Sequence, residues 1–168
     1  LAGVAIVAAA ALAAVNSCTK SKISEGADTA RMEALRAVSP EFDSHNTTTG
    51  ADGLTVYNLT LGDTPAGTAV ETFSDNGFSG RITILAGFDN AGTLTGYRVL
   101  QHQETPGLGA EIQKPAFSSQ FGGKRIFLDD RFMPVTVVKA GRAPSDGRDY
   151  VDAVSGAKPA EKTEKPAD

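Results

Sequence analysis

Hydrophobic and polar positions are distributed in three different ways along this chain. Leu1 to Val15 is wholly apolar and rich in Ala. From Ile23 to Ser39, apolar Ala27, Ala30, Ala34, Leu35 and Val38 recur at helical spacing, with Arg31, Glu33 and Arg36 between them. That spacing predicts a helix with one weakly apolar face. Asp28 suits its first turn and Pro40 ends it. Further on the period changes to two. Arg81 to Phe88 and Thr93 to Leu100 are strand-like runs separated by Asp89-Asn90-Ala91-Gly92, which predicts a hairpin. Phe42 to Thr72 is polar and turn-rich. Within it Leu54–Leu59 and Gly67–Thr72 predict strands, while His45, Asn46–Gly50 and Asp52-Gly53 fall in loops. Pro115 to Phe121 predicts a short helix, because Pro at the first turn has no helical N–H to lose. Phe117 and Phe121, four residues apart, share a face of it, and Gly122-Gly123 stops it. Arg125–Leu128 and Val135–Lys139 are two further strand runs, and Arg142 to Arg148 is a polar loop. The fold class is therefore α+β, with a mainly antiparallel sheet and flanking helices.

The apolar start sets the domain organisation. Fifteen residues of helix span about 22 Å, short of the roughly 30 Å hydrocarbon core. The segment reads as the C-terminal part of a transmembrane helix, and residues 1–22 as a membrane anchor. Two other readings stay open: a signal-peptide core, and a lipid anchor at Cys18, for which Asn16 is a poor neighbour. Lys20 and Lys22 follow the apolar run, and the positive-inside rule would place them in the cytoplasm.

Composition narrows the function. The 168 residues suit one domain, and 40% hydrophobic with 21% charged residues is normal for a folded one. Eighteen glycines agree with a turn-rich, β-rich middle. A net charge of −4 leaves no electrostatic footprint for nucleic acid. One cysteine excludes an intrachain disulfide and a cysteine-based metal cluster. His45 and His102 are too far apart for the usual metal-ligand spacing. Neither common glycine-rich phosphate loop is present.

The chemistry gathers around Glu104-Thr105-Pro106-Gly107-Leu108-Gly109, which follows the strand-like run Tyr97–Gln103. Pro106 and Gly107 fit the second and third places of a type II turn, where φ near −65° and a positive φ are required. Such a loop at a strand tip offers backbone N–H groups to a flat ring or an anion. An ordinary strand-to-helix connection would use the same residues. The string His-x-Glu-Thr-Pro-Gly-Leu-Gly resembles the signature loop of the FMN-binding domain family. That family includes the G subunit of the Rnf electron-transport complex and the C subunit of the sodium-pumping NADH:quinone oxidoreductase. Gly77-Phe78-Ser79-Gly80, entering the hairpin, also resembles the family. The resemblance runs from the apolar start to about Ala157.

It implies a second site at Asp152-Ala153-Val154-Ser155-Gly156-Ala157. In the family an acidic residue precedes Ser/Thr-Gly-Ala and then a Thr, whose hydroxyl a flavin transferase joins to the FMN phosphate. By the resemblance Asp152 is read by the transferase, and Ser155, Gly156 and Ala157 lie near the phosphate. Here position 158 is Lys158, and an ammonium cannot form that ester. Three readings stay open. Residues between Ala157 and Lys158, a modified Thr among them, are absent from the sequence as written. Or FMN is held non-covalently, with Lys158 pairing with its phosphate. Or the motif has decayed to a helix cap. Residues 158–168 are charged and Pro-containing, the composition of a disordered tail.

The resemblance as a whole implies an FMN-binding domain over 23–157, with Glu104 to Gly109 along the flavin ring. It implies an electron carrier that is one subunit of an ion-translocating oxidoreductase of the ferredoxin:NAD type. Its partners would be the other membrane and peripheral subunits, the flavin transferase and membrane lipid. It would cross the bacterial cytoplasmic membrane once, with its domain on the extracytoplasmic side, against the positive-inside reading. The quinone-reducing relative is the alternative. A non-redox anchored scaffold and a flavin reductase acting on a soluble acceptor stay open beside it. As a hydrolase the chain reads poorly. Ser155 has no adjacent base, and Glu104 and His102 are simply two apart on one strand face.

Overall fold

The computed structural model describes residues 26–128, 131–139 and 149–154. The segment expected to be an anchor (residues 1–22), with Cys18, and Ser155, Gly156, Ala157, Lys158 and the rest of the segment expected to be a tail lie outside the described residues. The chain divides into two units, Leu1–Ala34 and Leu35–Asp168. A helix, α1, covers 26–38. In its first-unit part the Asp28 carboxylate lies 3.6 Å from the Arg31 guanidinium, one turn on. Among the described residues no helix is long and apolar enough to cross a membrane.

The second unit is built on a six-stranded antiparallel meander in sequence order. Its strands are β1 (Ser44–Thr49), β2 (Thr55–Leu61), β3 (Thr64–Gly77), β4 (Gly80–Phe88), β5 (Thr93–Gln101) and β6 (Lys124–Arg125). Two small ladders follow. β7 (Phe127–Leu128) pairs antiparallel with β8 (Arg131–Phe132), and β9 (Thr136–Val138) pairs parallel with β10 (Tyr150–Asp152). A helical segment interrupts β5 and β6. It comprises a 3₁₀ turn Gly109–Gln113, α2 (Pro115–Ser118) and a second 3₁₀ turn Ser119–Phe121.

One face of the sheet carries the core. Tyr57 and Leu59 of β2, Ala69 of β3 and Leu85 of β4 are buried, as are Leu35 and Val38 of the last turn of α1. Close approach there depends on a glycine. A Cβ on Gly87 would overlap the Val38 carbonyl and stand 2.8 Å from Thr95 Oγ1. The Thr95 hydroxyl donates to that same carbonyl, satisfying an orphan acceptor at the helix end. Over β5 the Tyr97 and Phe121 rings meet edge-on at 4.8 Å, and Phe121 meets Phe117 at 5.4 Å. The Tyr97 hydroxyl donates to the Ile112 carbonyl. Burial pushes that phenol up to about 12.

Several expectations are corrected. His45 lies in strand β1, not a loop, paired across the ladder with Leu59. All six β1 residues are exposed. A fully exposed edge strand has no apolar alternation to announce it. β3 is more than twice as long as expected, starting at Thr64 and continuing through polar Ser74, Asp75 and Asn76 to Gly77. The run before the signature loop ends as a strand at Gln101, so His102 and Glu104 do not share a strand face. Arg125–Leu128 is broken between β6 and β7.

Candidate functional site

The signature loop adopts the turn its sequence dictates. Leu108 N–H donates to the Thr105 carbonyl at 3.1 Å, closing a four-residue turn around Pro106-Gly107. Gly107 has φ +77°, as the third place of a type II turn requires. Ala110 N–H reaches the same Thr105 carbonyl at 3.2 Å, which ties the turn to the helical segment. Thr105, Pro106, Gly107 and Leu108 are all exposed. The N–H groups of Thr105 and Gly107 have no intramolecular partner among the described residues. A Cβ on Gly107 would meet nothing within 4 Å.

Glu104 behaves differently from the rest of the loop. It is buried, the one charged side chain in that class among the described residues. Its Oε1 accepts the Ser79 N–H at 3.0 Å, from the turn between β3 and β4. Its own N–H donates to His102 Nδ1 at 3.0 Å, so the histidine braces the backbone and is not paired with the carboxylate. Gly109 has its own reason to be glycine. A Cβ there would overlap Glu104 Oε2 and stand 2.9 Å from the Glu104 Cβ.

The second motif enters along β10. Asp152 N–H donates to the Gln120 side-chain carbonyl at 2.7 Å, and Ala153 N–H donates to the Val138 carbonyl at 2.8 Å. Val151, just before them, is 1% exposed. The signature loop and β10 are therefore both fastened to the helical segment 109–121, one at its start and one at its end. Sequence reasoning misses Gln120 as a positioning residue. Only its place within the short helix is readable, since its partner lies 32 residues on.

A separate apolar cleft of about 560 Å³ lies over β3 and β4, lined by Val70, Ala86, Phe88, Ile126 and Phe127 among others. None of the residues 104–109 lines it. Its polar rim is committed internally, since Asp89 accepts the Ala91 and Thr93 N–H groups and Asn90 donates to the Pro65 carbonyl. The described residues hold no cluster of His, Cys, Asp or Glu able to bind a metal.

An exposed loop with uncommitted N–H groups, an apolar Leu108 and a glycine-built turn fits a flat, polar-edged ring. Residues 77–157 match the FMN-binding domain family. The chain is 34% identical over 144 residues to the G subunit of the ion-translocating oxidoreductase complex of Shewanella amazonensis, covering 77% of this chain and 66% of that protein. It is 33% identical over 102 residues to the C subunit of the Na(+)-translocating NADH-quinone reductase of Vibrio anguillarum, covering 61% and 40%. Among solved structures it is similar to the C subunit of the Na(+)-translocating NADH-quinone reductase of Parabacteroides distasonis. The TM-score is 0.56, at 27% identity, over 68% of this chain and 66% of that one. The chain carries a domain of the FMN-binding domain family. It spans about two thirds or less of the length of these relatives.

Proposed function

We propose that this chain is the FMN-carrying electron-transfer subunit of a membrane-bound complex of the Rnf type, coupling ferredoxin:NAD electron transfer to ion translocation. The observation that carries the reading is the exposed Thr105–Leu108 turn inside a stretch matching the FMN-binding domain family. Identity over most of the chain to the G subunit of an ion-translocating complex favours the Rnf type. The fold, shared with the C subunit of a sodium-translocating NADH-quinone reductase, favours the second reading, a C-type subunit of a sodium pump. FMN supplies one- and two-electron chemistry that no side chain of this domain provides. The chain's own residues bind and orient it. Thr105 and Gly107 present N–H groups to polar edges of the ring, and Leu108 covers apolar surface. Gln120 holds the strand that leads to Ser155, Gly156 and Ala157, which take the phosphate. Asp152 is the residue a flavin transferase recognises.

In this reading residues 1–22 anchor the chain by a single span, 23–157 form the flavin domain on the extracytoplasmic side, and 158–168 are a tail. The partners are the other subunits of the complex. Lys158 has no hydroxyl for a phosphoester, so the test must read both modes of binding. The full chain is co-expressed with a flavin transferase. Intact mass, native absorbance and in-gel ultraviolet fluorescence after denaturation are then recorded. A yellow native protein supports the reading, and a fluorescent denatured band adds the covalent link. A colourless protein that takes up no FMN ends the redox assignment and leaves the scaffold reading.

A further inference from the structure

β3 and β4 outrun their neighbours in the sheet. β2 pairs with β3 only as far as Glu71, and β5 pairs with β4 only from Thr83. Beyond those points Thr72–Gly77 and Gly80–Ile82 form a two-stranded arm, with a bulge between the Ser74–Ile82 and Gly77–Gly80 pairs. An isolated two-stranded ribbon is marginal in water. On its outer side Arg81 forks onto the Asp75 carboxylate at 2.7 and 3.0 Å and lies 3.8 Å from the Phe73 ring centre. That ion pair is exposed and holds the arm weakly.

The other tether is Glu104. Its side chain occupies the gap between two glycines, one on each element. A Cβ on Gly77 would stand 2.8 Å from Oε1, and a Cβ on Gly109 would stand 2.9 Å from the carboxyl carbon. Oε1 takes the Ser79 N–H. No Lys or Arg forms an ion pair with this buried carboxylate among the described residues. A buried carboxylate is costly unless its hydrogen bonds are met, so an uncharged residue would serve packing better. What the carboxylate supplies is a join. The turn it holds presents Phe78, 96% exposed, and the loop it belongs to presents Leu108, 55% exposed.

We infer that Glu104 is a positioning residue, which locks the 77–80 turn against the 105–109 loop so that both meet bound FMN in one fixed arrangement. The inference rests on the flavin reading above. It departs from placing Glu104 itself along the ring, because its carboxylate is already engaged by Ser79.

The chain contains no tryptophan, so Phe78→Trp in the full chain gives a single fluorescent reporter at the arm's tip. Anisotropy of that reporter is measured without FMN, alone and combined with Glu104→Ala, Glu104→Gln and Glu104→Met. In parallel FMN is titrated, without transferase, into the Phe78 chain and the same Glu104 variants. Glu104→Ala and Glu104→Met are expected to lower the anisotropy and weaken FMN binding about tenfold, the worth of a hydrogen bond to a charged group. Glu104→Gln keeps an acceptor for Ser79 and restores both. Glu104→Met keeps the volume, so it answers the question if Glu104→Ala fails to fold. Unchanged anisotropy in the Met variant overturns the join. Lowered anisotropy with unchanged FMN binding overturns the positioning role. An unsubstituted chain that takes up no FMN, either on titration or after co-expression with a flavin transferase, defeats the flavin reading, and the positioning role with it, while the anisotropy still reports the join.

Discussion

Gly107 and Gly109 stand two residues apart in one loop, and the structure requires glycine at each for a different reason. Gly107 has φ +77° with open space where a Cβ would go. Its replacement by Ala costs the left-handed backbone term alone, about 1 kcal/mol. Asn tolerates that region, so Gly107→Asn costs less than Gly107→Ala. At Gly109 the obstacle is the Glu104 side chain. Gly109→Ala drives the carboxylate from the Ser79 N–H, adding about 1.5–3 kcal/mol for a lost hydrogen bond to a charged group to an overpacking cost of about 1 kcal/mol. About 3 kcal/mol in total is expected, and Asn, being larger, costs more than Ala. Glu104→Ala alone costs about 2 kcal/mol, since Ser79 N–H loses its partner. In the double variant the methyl introduced at position 109 has room, apart from the Glu104 Cβ position 2.9 Å away. The pair then costs about 3 kcal/mol instead of the additive 5, a coupling of about 2 kcal/mol. Urea unfolding followed by far-ultraviolet circular dichroism measures all of these, with constant m-values as the check on two-state behaviour. The reasoning is refuted if Gly109→Ala costs no more than Gly107→Ala, or if Gly109→Ala and Glu104→Ala add within about 0.5 kcal/mol.

Other consequences can be checked with the same methods. Leu85→Ala empties a fully buried site in the sheet and should cost about 2–5 kcal/mol, whereas Leu61→Ala at a half-exposed site should stay within about 1 kcal/mol in the same urea series. Gln120→Ala removes the acceptor for Asp152 N–H; FMN content after co-expression with a flavin transferase should fall several-fold and Gln120→Glu should restore it, measured by native absorbance. Tyr97 is raised to about 12 by burial, so the folded state holds its proton after the unfolded chain has lost it near pH 10. Stability from this group is full below pH 10 and is lost as pH rises from about 10 to 12. Thermal melts of Tyr97→Phe should show a shallower decline over that window than the unsubstituted chain.

Much of this molecule is written locally enough to be read. The α1 stop at Pro40, the β4–β5 hairpin, the Pro106-Gly107 turn and the Phe117/Phe121 face all follow from neighbouring residues, and all stand in the structure. β1 was not legible because its six exposed residues carry no buried face to set a period. The length of β3 was hidden by polar Ser74-Asp75-Asn76, which show no apolar alternation but belong to a bulged ladder closed by Ile82 and Gly80. The inner organisation of the site was hidden for another reason. Glu104 meets Ser79 across 25 residues and Gln120 meets Asp152 across 32, and hydrogen bonds between elements leave no trace in local spacing. The motif named the loop, but only the packing distinguishes its buried carboxylate from its exposed turn.

The central claim is that this domain carries FMN, and intact mass with native absorbance tests it most directly. After co-expression of the full chain with a flavin transferase, the account predicts a yellow protein. A mass increase of one FMN that survives denaturation marks covalent attachment, and release of FMN on denaturation marks the non-covalent mode that Lys158 would serve. A native protein that is colourless, has the mass of the bare chain and takes up no added FMN would contradict the account.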